Sequence, residues 1–376
     1  MTNALFIFGT RPEAIKLCPV VDALRKHPDY RVSVCVTAQH RALLDQVLAV
    51  FQVRPDHDLN VMTPGQTLFQ STSRITAALE PVIEREQPDV VLVQGDTTTT
   101  FCGALAGFYK RIPVAHIEAG LRTGDRYQPF PEEMNRLLAG RLASIHFAAT
   151  PWAADNLRRE GVEDGSIHVT GNTGIDAVLH VARGLERGAI ETPELPKPLD
   201  ASKKLIVVTT HRRESFGGGL ESTCRAIRRL ASRPDTQIVF PVHPNPNVRA
   251  TVDGLLRGVA NVTLCEPLSY VPFVDLMRRA WLLLTDSGGI QEEGPSLGKP
   301  ILVLREKTER PEAVEAGTVR LVGTGEERIV AHASELLDDA ALYESMAQAH
   351  NPYGDGAASG RIAAILAGAV AGGRAG

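Results

Sequence analysis

WLLLTDSGGIQEEG, residues 281–294, places an uninterrupted apolar run directly before two glycines and a helical pattern. A run without polar alternation is typical of a strand that is buried on both faces, as in a parallel sheet. Ser287, Gly288 and Gly289 fit the tight turn from such a strand into a helix. The stretch therefore predicts one strand–helix unit of an open α/β sheet.

The same unit recurs along the chain in two series. The predicted strands of the first series are 5–8, 32–36, 90–93, 113–117 and 144–149, and those of the second are 204–210, 236–242, 262–265, 281–285 and 300–304. Helical patterns fill most of the gaps, for example 13–26, 66–86 and 217–232. Strands alternating with helices in two series predict an α/β protein with two Rossmann-like, doubly wound parallel-sheet domains.

The domain boundaries follow from these series. We expect an N-terminal domain over residues 1–175 and a C-terminal, nucleotide-binding domain over 176–356, with a closing helix at about 357–370 that packs back on the first. The stretch 186–204 contains several prolines and polar residues, which suit an exposed connection between domains.

Composition narrows the class of protein. The 376 residues are 43% hydrophobic and 22% charged, with a formal net charge of -4. These values are typical of a soluble globular protein and give no reason to expect nucleic acid or a membrane as a partner. The five cysteines are scattered, and no signal peptide or apolar segment of about 20 residues is present, so we expect a cytoplasmic protein with reduced thiols and no metal site.

Ligands of open α/β sheets bind outside the carboxyl ends of the strands, so the residues after each predicted strand are the candidates for function. The first strand runs into GTRPEAIK (9–16), in which Arg11 and Lys16 lie near a helix N-terminus suited to an anion. A plain strand–helix turn with a surface arginine is the alternative. The pattern is not GxGxxG and does not favour a nicotinamide or flavin cofactor.

Asp96 follows the strand VVLVQ in the stretch GDTTTTF (95–101). It is a candidate for acid–base chemistry, and it fits equally well as the N-cap of the next helix, with the threonines as further capping oxygens.

HIEAGLRTGDRYQPFPEEMNR (116–136) sets many charges of both signs on an irregular segment after an apolar strand. Two prolines rigidify it, which favours a loop that holds Glu118 and Glu132 beside arginines and places their carboxylates accurately. A solvated charged loop is the alternative. Glu132 and Glu133 also suit the first turn of a helix, where one of them could be only a partner of the helix dipole.

Two histidines follow strands of the second series. His211 is flanked by arginines and followed by three glycines, a pattern that favours close approach of an anionic ligand, although a structural histidine is the alternative. His243 holds a similar position in PVHPNP (241–246), where the prolines alone could explain a turn.

The Ser-Gly-Gly turn at 287–289 predicts a phosphate or diphosphate cradle at a helix N-terminus. Glu293, one turn into that helix, would repel a phosphate but can accept hydrogen bonds from a ribose diol. Arg310 supplies a further cation near the next strand end. Together these residues predict a nucleotide-binding site.

GTRPE, QGDTTTTF, HIEAGLRTGD with PEEMNR, HRRESFG, HPNP, TDSGGIQEEGPSLGKP and RPEA closely resemble the motifs of the bacterial non-hydrolysing UDP-N-acetylglucosamine 2-epimerases, in the same order. The resemblance implies two domains facing a central cleft in the GT-B arrangement, usually as a homodimer. It implies interconversion of UDP-N-acetylglucosamine and UDP-N-acetylmannosamine, as precursors for cell-surface polysaccharides or antibiotics, without a cofactor.

The resemblance also implies roles for individual residues. The implied catalytic set is Asp96, Glu118, Glu132 and His211. The implied UDP-binding set is Arg11, Lys16, Arg136, His243, Phe273, Ser287, Gly288, Gly289, Glu293 and Arg310, with Phe273 against the uracil. The implied reaction is elimination of UDP to a bound 2-acetamidoglucal, followed by its re-addition.

Many members of the family bind a second UDP-N-acetylglucosamine as an activator. The residues available here for that site are Gln39, His40, Gln66, Arg212 and His243. Ala42 and Gly65 stand where some members carry larger polar side chains, so we expect the activation to be weak or absent.

Three other functions are compatible with parts of the pattern. A GT-B glycosyltransferase would share the nucleotide-binding residues but would need an acceptor. A hydrolysing epimerase would release UDP with turnover. A UDP-sugar sensor without activity would not need the four implied catalytic residues.

Overall fold

The structure, a computed structural model, describes residues 1–38, 41–63, 65–192, 195, 198–210 and 218–373. The chain forms two compact units. One comprises Met1–Ala177 together with the chain from Tyr353 onward, and the other comprises Val178–Pro352.

The N-terminal unit is built on a seven-stranded parallel sheet. Its strands are β1 (Thr2–Phe8), β2 (Tyr30–Val36), β3 (His57–Asp58), β4 (Val90–Gln94), β5 (Val114–Ala119), β6 (Ile145–Ala148) and β7 (Ile167–Val169). The helices between them are α1 (Arg11–Arg25), α2 (Arg41–Val50), α3 (Leu68–Glu86), α4 (Thr98–Tyr109), α5 (Glu132–Leu142) and α6 (Pro151–Arg159), and α7 (Thr173–Glu186) follows β7. The strand order is β3-β2-β1-β4-β5-β6-β7.

The C-terminal unit repeats this plan with six parallel strands. They are β8 (Lys204–Thr209), β9 (Thr236–Pro241), β10 (Val262–Cys265), β11 (Leu282–Thr285), β12 (Ile301–Val303) and β13 (Val319–Leu321). Its helices are α8 (Gly218–Ala231), α9 (Pro246–Leu256), α10 (Tyr270–Arg279), α11 (Gly288–Glu293), α12 (Pro311–Glu315), α13 (Glu326–Asp338) and α14 (Ala340–Ala347). The last helix of the chain, α15 (Ala358–Gly373), belongs to the first unit and packs against α1. The strand order is β10-β9-β8-β11-β12-β13.

The predicted α/β class with two parallel sheets is confirmed. Every strand predicted from an apolar run is present, and the central ones are buried on both faces; the residues of β1 from Ala4 to Phe8 are fully buried. Burying a side chain of this size contributes about 1.5–3 kcal/mol, which is why such runs specify the sheet so strongly. Strands β3, β7 and β13 were not predicted, because their sequences HD, IHV and VRL contain polar residues and form no continuous apolar run.

The division between the units does not fall in the proline-rich stretch 186–204. That stretch belongs to the second unit, and the chain passes from one unit to the other within α7. Helix α7 buries Ile175, Val178 and Val181 along one side, so its apolar pattern continues through the division and the prolines come only after the helix has ended.

The strand order places the functional edge of each sheet. It reverses between β1 and β4 in the first sheet and between β8 and β11 in the second. At such a switch point the connections leave the two strands in opposite directions and open a crevice in which ligands bind. The candidates after β1, β4 and β11 therefore lie at the switch points of their own sheets.

Candidate active site

Glu118 lies in β5 at a break in its regular geometry. Its φ is 62°, and the pairing with β6 shifts register between Ile117 and Ala119, which is a β-bulge. A non-glycine residue in this conformation costs about 1–3 kcal/mol and persists where surrounding contacts fix it. A bulge also re-aims the side chain, here at the carboxyl end of the strand.

Two side chains hold the Glu118 carboxylate. Lys16 Nζ of α1 forms an ion pair with Oε1, and Gln94 Nε2 of β4 donates to Oε2. The expectation that a rigid loop holds Glu118 beside arginines is therefore wrong: Glu118 is on the strand, and its cation is a lysine. The reason is that the chain remains paired to β4 and β6 as far as the bulge, and the irregular loop begins only after it.

Asp96 is two residues beyond β4 and forms a second ion pair. Arg136 Nη2 donates to Asp96 Oδ2 over 2.6 Å, and the Asn135 side-chain amide donates to the Asp96 backbone carbonyl over 2.9 Å. Burial raises the pKa of Asp96 above its usual range; Arg136 and Lys16 oppose this shift, and the charge of Glu132 adds to it.

Asp96 is not the N-cap of α4. Thr97 takes that position, and its hydroxyl accepts a hydrogen bond from the Thr100 backbone N–H over 3.1 Å. The capping prediction for Asp96 is wrong because the chain needs one more residue to enter the helix, and this leaves the Asp96 carboxylate to face Arg136.

Helix α5 begins at Glu132, directly after Pro131, and its first two glutamates have different surroundings. Glu133 is buried and accepts from the backbone N–H groups of Thr123 (3.2 Å) and Gly124 (3.1 Å). It thus fastens the 121–131 loop to the helix. Glu132 is half-buried and lies close enough to Asp96 to raise the pKa of Asp96.

Glu13 was missed by the sequence analysis. It is fully buried in α1 and accepts at Oε2 from the Thr10 backbone N–H (2.8 Å) and at Oε1 from the Thr97 hydroxyl (2.8 Å). These bonds tie the loop after β1 to the loop after β4, although burial raises the pKa of Glu13. A usable signal was the T-x-x-E spacing of residues 10–13, which predicts a capping box and is present.

The N-terminal unit thus brings three carboxylates together with two cations at its switch point. Asp96 and Glu118 each hold one cation, and Glu132 lies beside Asp96. Groups of opposite charge at this spacing can remove and return protons while they stabilise negative charge on a neighbouring ligand.

In the C-terminal unit Ser287 is the N-cap residue of α11, and its side chain makes no capping hydrogen bond. The Arg310 guanidinium lies over the first residue of that helix: a Cβ added at Gly288 would be 3.1 Å from Arg310 Cζ. Glu292 orients this cation by accepting from Arg310 Nε over 2.8 Å. A fixed arginine over exposed backbone N–H groups suits a phosphate.

Helix α10 supplies aromatic side chains to the same unit. Phe273 is half-buried, and Tyr270 lies one turn before it on the helix. The Tyr270 hydroxyl makes no hydrogen bond to the part of the chain that the structure describes, and burial, together with the charge of Glu293, raises its pKa. On the loop before α9, His243 Nδ1 accepts from the Asn245 backbone N–H over 3.2 Å, which leaves Nε2 to carry the proton of the neutral ring.

A family model described as UDP-N-acetylglucosamine 2-epimerase matches residues 22–367. The chain belongs to this family. The UDP-N-acetylglucosamine 2-epimerase of Escherichia coli O157:H7 is 57% identical over 368 residues, which cover 97% of this chain and 98% of the relative.

Two solved structures of the UDP-N-acetylglucosamine 2-epimerase family are similar over nearly their whole length. The enzyme from Neisseria meningitidis bound to UDP-GlcNAc is 48% identical, with a TM-score of 0.88 over 98% of this chain and 100% of that chain. The enzyme from Methanocaldococcus jannaschii in complex with UDP-GlcNAc and UDP is 33% identical, with a TM-score of 0.75 over 98% of this chain and 99% of that chain. The resemblance inferred from the motifs is confirmed.

Some predicted residues lie outside the described part of this epimerase-family chain: His211, Arg212, Gln39 and His40. Of the other candidates for the activator site, Gln66 is engaged in its own loop, where it accepts from the Thr63 N–H and donates to the Val61 carbonyl. The roles assigned to individual residues remain predictions.

Proposed function

We propose that this chain interconverts UDP-N-acetylglucosamine and UDP-N-acetylmannosamine by inversion at C2 of the sugar. The observation that carries the proposal is the group of carboxylates at the N-terminal switch point, Asp96, Glu118 and Glu132, each set beside a charged neighbour. The family is one of isomerases, and the relatives that match this chain carry the name of this reaction.

The chemistry explains why several carboxylates converge. The C2 proton is not adjacent to a carbonyl group, so a carboxylate does not remove it from the resting substrate. As the C1–O bond to UDP breaks, positive charge grows at C1 and the neighbouring C2–H becomes acidic. Loss of that proton gives 2-acetamidoglucal and UDP. Protonation of C2 from the opposite face and return of UDP to C1 give the epimer, and two faces require two acid–base positions.

The N-terminal unit supplies the acid–base groups in this proposal. Glu118, Asp96 and Glu132 are its candidates, and the raised pKa of Asp96 suits a group that must hold a proton for part of the cycle. Lys16 and Arg136 hold two of these carboxylates and carry positive charge where UDP leaves as an anion.

The C-terminal unit supplies the nucleotide-binding groups. Arg310 and the backbone of Gly288 and Gly289 are suited to the diphosphate, because a guanidinium forms paired hydrogen bonds with phosphate oxygens. Glu293 is suited to the ribose hydroxyls and Phe273 to the uracil ring. His243, which follows β9, and Ser287, which follows β11, are further donors.

Proton NMR of the purified protein with UDP-N-acetylglucosamine in deuterated water tests the proposal. We expect UDP-N-acetylmannosamine to appear with deuterium at C2. Glu118→Gln and Glu132→Gln should each lower the rate by about 100- to 10,000-fold, because each removes one acid–base group. Glu344→Gln, at an exposed glutamate of α14, is the control and should leave the rate unchanged.

The other outcomes identify the alternatives. Unchanged, unlabelled substrate would contradict epimerisation of this sugar, and consumption only after an acceptor is added would favour a glycosyltransferase. Free UDP that accumulates in proportion to turnover would favour a hydrolysing epimerase.

We also infer that the chain works as a homodimer in the cytoplasm. Helices α3 and α4 pack against each other and expose large aromatic side chains: Phe69 is 90% exposed, Tyr109 66% and Phe108 57%. An exposed apolar group of this kind on two adjacent helices favours an interface, here with a second copy. Light scattering should give twice the chain mass, and Phe69→Glu should give the monomer mass. Among the described residues, none of the helices could span a bilayer.

A further inference from the structure

Gln94 is the last residue of β4 and the only polar one in the strand VVLVQ. Its side chain is nearly fully buried, with 3% of the residue exposed, and its Nε2 donates to Oε2 of Glu118. A buried amide at the end of an apolar strand needs hydrogen-bond partners, and this one has a carboxylate as its partner.

The position of Gln94 is set by the scaffold. The strand pairing places it opposite Ile117 in β5, one residue before Glu118, and its backbone carbonyl accepts from the Thr100 hydroxyl over 2.6 Å. Its side chain therefore approaches the Glu118 bulge from a direction that the sheet fixes, not from a mobile loop.

Lys16 gives the other hold on Glu118 but is a different kind of partner. Its Nζ lies at the end of four rotatable bonds, and a lysine pairs with any nearby anion, including a diphosphate. In the proposed function a diphosphate arrives at this site and competes for Lys16. The neutral amide of Gln94 is not drawn toward the incoming charge in the same way, so it keeps its bond to Oε2.

We propose that Gln94 is a positioning residue for Glu118: it fixes Oε2, so that Oε1 is the oxygen that exchanges a proton with the sugar. The inference rests on the proposed function and deepens it. An amide suits this role because it donates to a carboxylate without adding a second charge, whereas a carboxylate in its place would repel Glu118.

Gln94→Leu removes the donor at nearly constant volume. We expect kcat to fall about 10- to 100-fold, because a misplaced catalytic group costs this much, while KM stays within about twofold. Gln94→Glu keeps the shape of the side chain and replaces the donor with an acceptor, so kcat at neutral pH should fall by at least as much. This variant replaces Gln94→Leu in the test if the leucine variant does not fold. Asn3→Leu is the control. Asn3 is a buried amide at the start of β1, at the edge of the sheet opposite to Gln94, and it donates to the Glu86 carbonyl.

A double-mutant cycle separates positioning from a general structural role. If Gln94 acts through Glu118, Gln94→Leu should cost less than about twofold in kcat in a Glu118→Gln background. In an Asp96→Asn background it should still cost about 10- to 100-fold, because that variant leaves the Gln94–Glu118 contact in place.

The outcomes distinguish the two proposals. An equal fall in kcat from Gln94→Leu in the unaltered chain and in the Glu118→Gln background would overturn the positioning role. So would a Gln94→Leu variant whose KM rises while its kcat is unchanged. Failure of the unaltered chain to incorporate deuterium at C2 would instead overturn the proposed function.

Discussion

The two units have the same strand order at their switch points and different residues at their strand ends. The N-terminal unit presents Asp96 and Glu118, whereas the C-terminal unit presents a serine, two glycines and Arg310. The shared order determines where a ligand can bind, and the residues after the strands determine what chemistry is done there.

A partly buried ion pair supports each site, but the more exposed member is a carboxylate in one pair and an arginine in the other. In Asp96–Arg136 the carboxylate is the more exposed side chain, at 29% against 6% for the arginine. In Arg310–Glu292 the arginine is the more exposed, at 13% against 6%. Such a pair adds little net stability because both charges lose their hydration. In each pair the more buried side chain orients the more exposed one. The exposed member is a carboxylate in the first unit, which suits proton transfer, and an arginine in the second, which suits anion binding.

Asp96→Asn gives the largest effect that this comparison predicts. The change keeps the shape but removes the acid–base group, so we expect kcat to fall about 100- to 10,000-fold with little change in KM. Steady-state rates followed by NMR would check this, with Asp155→Asn as the control, because Asp155 pairs with Arg158 on the surface. A variant that keeps kcat and loses only affinity would show that the first unit also serves binding.

The stability of the first unit should depend on pH through His116. Its Nε2 donates to the Gly95 carbonyl over 2.8 Å, and complete burial lowers its pKa from 6.5 to about 3. Between these values the unfolded chain binds a proton there that the folded chain does not bind. Stability should therefore fall as the pH falls, by about 2 kcal/mol between pH 6.5 and pH 5.

His116→Gln retains a donor for Gly95 and removes the titration. Hydrogen exchange of peptides from β4 and β5 at the two pH values should show the loss of protection in the unaltered chain and a smaller loss in the variant. The same acid sensitivity in both proteins would assign the effect to other groups, such as His146, whose pKa is also lowered by burial.

Gly288→Ala tests the binding side of the comparison. The new methyl group would meet the Arg310 guanidinium at 3.1 Å and displace it, so we expect KM to rise about 10-fold while kcat changes less than about twofold. In an Arg310→Ala background the same substitution should add little, since the group that it displaces is gone. A fall in kcat alone would place Arg310 in the chemical steps.

Much of this arrangement could be predicted from the sequence. The apolar runs predicted the central strands, because a strand buried on both faces leaves no room for polar residues. The rule that ligands bind after the strands then pointed to Asp96, Glu118 and Ser287. Local patterns of a few residues were sufficient for this part.

The rest depends on contacts between distant parts of the chain. Lys16 and Glu118 are 102 residues apart, and their pairing follows from the order of β1, β4 and β5. The bulge at Glu118 has no local signature, because nothing in HIEAG requires a positive φ at the glutamate. Gln94 could be noticed only as a polar end to an apolar strand, and its partner was visible only in the fold.

The smallest expected effect concerns regulation. We expect that UDP-N-acetylglucosamine does not strongly activate the enzyme. The Gln66 amide already bonds to its own loop, and Gly65 and Ala42 offer no polar side chain to a second sugar nucleotide. The rate against substrate concentration should therefore be close to hyperbolic, and UDP-N-acetylmannosamine alone should react without a lag. A sigmoidal curve that traces of UDP-N-acetylglucosamine abolish would contradict this. It would also show that residues outside the two strand-end sites control the enzyme, so that the comparison of the two units no longer accounts for its rate.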